Sequence, residues 1–91
     1  MASEYDPVQS SLTANPTRVK ILEITSSRSL TRSQLLSELG KGGYAGTENT
    51  LNGHLKEMEE YDLINRQSSS ISVTKTGTEV LKKYRERFLQ H

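Results

Sequence analysis

The sequence predicts a mainly helical α+β domain: helix, short break, helix, turn, helix, β-hairpin, helix. Three observations carry this prediction. Four stretches place their apolar residues at helical spacing, three or four apart. One stretch, ISVT at 71–74, alternates apolar and polar residues as a half-buried strand does. Capping residues stand where the helical periodicities begin, at Asn15, Thr31 and Thr47.

The first residues, MASEYDPVQSSL, are polar, contain Pro7 and show no periodicity, so residues 1–11 are expected to be a flexible arm. The domain is expected to occupy 12–91. In NPTRVKILEIT, Asn15 suits the N-cap and Pro16 the first helical position, where a missing N–H costs nothing. Val19, Ile21 and Leu22 supply an inward stripe, and the helix is expected over about 16–26. SSRSL breaks it, with Leu30 as an apolar plug able to pair as a minimal strand.

In TRSQLLSELG, Thr31 and Gln34 have the spacing of a capping box, which satisfies two orphan backbone N–H groups reciprocally. Leu35, Leu36 and Leu39 form the buried face of a helix over about 32–39, which Gly40 is expected to end in a left-handed cap. KGGYAG reads as a turn. The next helix starts at Thr47, with Glu48 against its positive end. At about 100° per residue, Leu51, Leu55 and Met58 share its inward side. Its outward side carries Asn49, Gly53, Lys56 and Glu60, flanked by Thr50 and Asn52. Asp62 is expected to end it, because Asp tolerates a left-handed turn. A hairpin follows over about 63–67 and 70–74, with Ser68–Ser70 at its tip. In KTGTEVLKKYRERFLQH, Val80, Leu81, Tyr84 and Phe88 define an amphipathic helix over about 75–89, and the basic residues cluster in its second half.

Composition excludes more than it selects. Ninety-one residues make one domain with a modest core. The absence of cysteine rules out disulfides, thiolate metal sites and thiol redox chemistry. With no signal-peptide pattern and no apolar run near the ~20 residues that span a membrane, a cytoplasmic, nucleoid-associated location is expected. The net charge of +1 announces no polyanion partner. Its distribution is uneven: residues 41–74 hold three basic and five acidic groups, residues 75–91 five and two. KGGYAG lacks the spacing of a phosphate-cradling loop. His54 with Glu57 does not make a metal site, and its direction puts His54 at the edge of the buried stripe as a partly packed residue. No serine has a nucleophile context, so no catalytic residue, cofactor or metal is expected.

Two stretches sharpen the fold. LKEMEEYDLI runs an amphipathic helix straight into a Leu-Ile strand, and ISVTKTGTEVLKKY runs a strand into a Thr-Lys-Thr-Gly helix start. Both resemble the winged helix-turn-helix regulators, whose corresponding pieces read approximately LxxLexxGLI and YxLTxxGxxL. NPTRVKILEIT is similar to the opening helix of the ArsR, PadR and MarR families. The resemblance covers about residues 12–89 and implies a three-helix core, a two-stranded β wing and a C-terminal dimerisation helix. Asp62 stands where the family has glycine, the turn before Thr47 is longer and richer in glycine, and the metal-sensing cysteines of ArsR proteins are missing.

The resemblance implies that the third helix enters the major groove of double-stranded DNA. Base contacts are then expected from Asn49, Asn52, Gly53 and Lys56, with asparagine able to pair bidentately with adenine and lysine to reach guanine or a phosphate. Backbone contacts are expected from Arg32 and Ser33, from Lys41 and Tyr44, from Thr47 and Thr50, and from the wing residues Arg66, Gln67, Ser68 and Ser69. Leu12, Leu81, Tyr84, Phe88 and Leu89 are expected at a homodimer interface. The implied function is sequence-specific DNA binding by a dimeric transcriptional repressor. Plasmid or chromosome partition, architectural coating of DNA, and a winged helix used for protein–protein contact stand as alternatives.

Overall fold

The computed structural model describes residues 12, 15–44 and 46–88; the expected arm at 1–11, Leu89 and the side chain of Phe88 lie outside the described residues. Four helices are described, α1 (Pro16–Ser27), α2 (Arg32–Lys41), α3 (Glu48–Glu60) and α4 (Lys75–Phe88). Strands β1 (Ile64–Gln67) and β2 (Ser70–Val73) pair antiparallel between α3 and α4, in the register Ile64↔Val73 to Gln67↔Ser70. Leu30 adds a one-residue third strand. Its N–H donates to the Ile71 carbonyl at 3.1 Å and its carbonyl accepts from the Ile71 N–H at 2.7 Å.

The caps explain where the helices begin and end. Thr31 and Gln34 form the expected capping box on α2, and the Thr47 hydroxyl accepts from the Thr50 N–H at the start of α3. Each such cap is worth about 1 kcal/mol. Asn15 occupies the N-cap of α1, but its side chain makes no capping hydrogen bond.

The α2 terminus corrects the sequence expectation. Gly40 does not end the helix, which runs on to Lys41; Gly43 takes the left-handed conformation instead, at φ +85°. The Gly43 N–H then donates to the Gly40 carbonyl at 3.1 Å and the Tyr44 N–H to the Leu39 carbonyl at 2.8 Å. That pair of bonds is a Schellman motif, whose apolar contact here joins Tyr44 to the core beside Leu39. The helix ends where Tyr44 can dock, not at its first glycine. At the end of α3 the same motif forms with Asp62 at φ +63°: Asp62 donates to Glu59 at 2.9 Å and Leu63 to Met58 at 2.9 Å. An aspartate therefore does here what glycine does in the resembling families.

The core gathers Val19, Ile21 and Leu22 of α1, Leu35 and Leu39 of α2, Leu51, Leu55 and Met58 of α3, and Leu63, Ile64, Ile71 and Leu81 around the hairpin and α4. Leu12 also belongs to it. Leu12 and Leu81, expected at a dimer contact, are 1% and 2% exposed within the chain's own core, so neither presents a surface to a second copy. Tyr84 is half-buried against the same core.

A third joint fixes the wing. The Thr74 hydroxyl donates to the Asp62 carbonyl at 2.6 Å and accepts from the Gly77 N–H at 2.9 Å, so it caps α4 while tying it to the end of α3. The Thr74 N–H donates to the Leu63 carbonyl at 3.0 Å. A Cβ on Gly77 would lie 2.1 Å from that Leu63 oxygen, which leaves no room for any other residue.

Candidate nucleic-acid interface

The polar side of α3 follows from where its apolar side goes. With Leu51, Leu55 and Met58 buried, Asn49, Gly53 and Lys56 are exposed, and Asn52 is half-exposed beside them. Nothing lies within 4 Å of a Cβ built on Gly53, so the glycine leaves open space on the outward side and serves no packing need.

Two cations flank this surface. Arg32 at the start of α2 reaches across 20 positions of sequence to α3, where its Nη1 donates to Asn52 Oδ1 at 3.2 Å. Arg66 in β1 donates from Nη2 to Glu59 Oε1 at 2.8 Å. This hydrogen bond holds the Glu59 carboxyl below the usual carboxylate range, and it raises Arg66 further still. Between the two arginines lies an open cleft of about 340 Å³ lined by Thr31, Arg32, Ser33, Arg66, Ser68, Ser69 and Ile71. The cleft thus unites the α2 start and the wing, two sets of residues separated by more than thirty positions in sequence. A two-residue turn, Ser68–Ser69, closes the wing, with Ser68 left-handed at φ +56°.

The remaining expected residues lie apart from this cleft. Lys41 stands at the opposite end of α2 and pairs with Glu38 at 3.4 Å. Tyr44 is half-buried with Thr47 and Thr50 around a small apolar recess against Leu36, Leu39 and Leu51. Gln67 is exposed on β1.

Sequence reasoning missed the group that fastens α3 from behind. Arg18 of α1 is buried. Its Nε donates to His54 Nδ1 at 2.9 Å, and its guanidinium forms a salt bridge with Glu57. Arginine has no acceptor, so His54 accepts at Nδ1 and keeps its proton on Nε2. Burial lowers the His54 pKa, the Arg18 charge lowers it further, and Glu57 opposes both. A signal was present: Arg18, Ile21, Leu22 and Thr25 are spaced along one helical stripe, and all four are buried.

No helix among the described residues is long and apolar enough to cross a membrane. Among them no cluster of three or more His, Cys, Asp or Glu could hold a metal ion.

Comparisons with known proteins agree with this architecture. A family model described as a helix-turn-helix domain matches residues 13–67, which run from just before α1 to the end of β1. Among solved structures the chain is similar to PadR of Bacillus subtilis, with a TM-score of 0.67 at 19% identity. That match covers 98% of this chain and 47% of the other, so the chain spans about half the length of that protein. A likeness at this identity speaks for the fold alone. No curated protein sequence matches the chain.

Proposed function

Since the chain belongs to the helix-turn-helix domain family and has the winged-helix fold, we propose that it is a DNA-binding regulator of transcription, which binds double-stranded DNA in a sequence-dependent way as a homodimeric repressor. One observation carries the reading: the outward side of α3 is polar and open at Gly53, and it lies beside a cleft that holds Arg32 and Arg66. A duplex seated there has its base edges against Asn49, Asn52, Gly53 and Lys56, and its phosphates against Arg32, Ser33 and the wing. Ser33 is in the first turn of α2, where backbone N–H groups also favour an anion.

The net charge of +1 fits a protein that relies on a few placed cations rather than a general positive field. The dimer is expected through the distal part of α4, where Tyr84 stands half-buried, since Leu12 and Leu81 are committed to the core. Sedimentation measures that directly.

The decisive experiment is selection from randomised duplexes, followed by a salt titration of the winner. Counterion release makes the logarithm of affinity fall with the logarithm of salt, by roughly 0.9 per neutralised phosphate. Footprinting then separates the roles: a repressor protects a discrete site, whereas a partition or architectural protein spreads from it. Absence of any salt-sensitive duplex binding would overturn the DNA reading. The winged helix would then be a protein-contact module, a reading favoured by Glu59 already occupying Arg66.

A further inference from the structure

We propose that the Arg32–Asn52 pair makes Asn52 a reader of guanine rather than of adenine, a reading that rests on the DNA-binding function proposed above. A free asparagine amide offers one acceptor and one donor group, the combination that matches adenine N7 and N6. In this structure the acceptor is in use. Arg32 Nη1 lies 3.2 Å from Asn52 Oδ1, and because a guanidinium has only donors, the chemistry fixes which end of the amide it holds. The second lone pair of Oδ1 lies next to a cation, whose charge repels the N–H of an approaching base. The amide N–H groups of Asn52 are what remains for the groove.

A side chain with only donors to offer discriminates by what it meets. Guanine presents two acceptors, N7 and O6, on its major-groove edge. Adenine pairs one acceptor with a donor at N6, and cytosine presents only a donor at N4. Thymine presents a single acceptor, O4, beside its methyl group, so guanine is the base that offers both N–H groups of Asn52 an acceptor without setting donor against donor. Arg32 keeps four further N–H groups, enough to hold a phosphate at the cleft while it orients Asn52. In this arrangement Arg32 is a positioning residue: it selects a base that it does not touch.

The test is duplex selection with the wild type, Asn52→Ala, Asn52→Asp and Arg32→Met. The base position read by residue 52 is the one whose preference vanishes in Asn52→Ala. The wild type is expected to prefer guanine there by roughly tenfold or more, the discrimination a well-made base contact supplies. Asn52→Asp keeps the acceptor for Arg32 and loses both donors. It should reverse the preference toward cytosine, whose N4 donates to a carboxylate. Arg32→Met releases Oδ1 and should raise adenine to or above guanine at that position, on top of a general loss of affinity from the missing phosphate contact. A wild-type preference for adenine, or a guanine preference unchanged in Arg32→Met, would overturn the assignment while leaving DNA binding intact. If the wild type binds no duplex at all, both readings fall together.

Discussion

Helix α3 sends two glutamates to two arginines, and the two pairs differ in almost everything except their chemistry. Glu57 turns back to Arg18, whose side chain is 10% exposed, and Glu59 turns outward to Arg66, whose side chain is 36% exposed. Behind the helix, Arg18 also holds His54, so the ion pair is one member of a network between α1 and α3. In front, Arg66 has water on much of its surface and borders an open cleft. A buried guanidinium cannot give up its partners without being left uncompensated, whereas an exposed one exchanges a carboxylate for water or phosphate at little cost. The first arginine holds the helix and the second is available to a ligand. Burial, not residue type, assigns the roles.

The comparison presupposes that α3 and the wing keep a fixed relation, and the largest prediction concerns that joint. Gly77→Ala sets a methyl group 2.1 Å from the Leu63 carbonyl oxygen and 2.8 Å from Val73 Cγ2. Backbone must move, so a loss of about 3 kcal/mol or more is expected by urea denaturation. A change below about 1 kcal/mol would show that the joint is soft and the contrast between the two arginines is not built into the fold.

Next in size is Arg18 itself. Arg18→Met keeps the aliphatic stem in place and removes the charge, leaving Glu57 and His54 without their shared donor. Because the Glu57 side chain is 45% exposed, the expected loss is moderate, about 1–3 kcal/mol. A cycle with Glu57→Gln measures the coupling; additivity of the two substitutions would mean the pair behaves as a surface contact after all.

The same network makes stability depend on pH in a definite direction. Burial and Arg18 lower the folded-state pKa of His54 below its unfolded value of about 6.5. Between those two values the unfolded chain binds more protons than the folded one, so stability rises with pH through that window. Above about pH 7 the effect is absent, and on acidification the network is weakened as Nδ1 gains a proton facing the Arg18 donor. Thermal melts of the wild type should therefore lose more between pH 7.5 and 5.5 than those of His54→Gln. Parallel losses in the two proteins would refute it.

These effects divide into what the sequence made legible and what it did not, and the division follows distance along the chain. The capping box at Thr31–Gln34, the Thr47 cap, the left-handed Asp62 and the Leu30 bridge depend on neighbours or on simple alternation, and all were readable. The end of α2 was misread because GKGG offers three glycines, and the choice among them falls to Tyr44 docking on the core. The polar side of α3 could be drawn from periodicity, but not its connections. Arg32 meets Asn52 from 20 positions away and Arg18 meets His54 from 36, separations that no local pattern encodes. Gly77 looked like a motif glycine in the sequence; the Leu63 oxygen that forbids a side chain there belongs to tertiary structure.

On the outward side the stability effects shrink. Gly53→Ala should stabilise the fold by about 0.5–1 kcal/mol, because alanine fits the open space and restricts the unfolded chain. The same methyl group stands between Asn49, Asn52 and Lys56, so duplex affinity should fall as stability rises. If both improve, the glycine serves no close approach.

The smallest stability change is expected at the exposed pair, where it carries the most information about the comparison. Removing either partner of Arg66–Glu59 should shift unfolding by no more than about 0.5 kcal/mol. Binding should separate the two variants. Arg66→Ala loses a phosphate contact and should weaken all duplexes alike, lowering the salt slope by about one. Glu59→Gln removes a carboxylate that occupies the same guanidinium, so it should tighten binding and leave the ranking of sequences untouched. If Glu59→Gln weakens binding instead, Glu59 positions Arg66 for the duplex rather than competing with it. The outer pair would then be a fastening like the inner one, and the contrast between the two faces of α3 would fail.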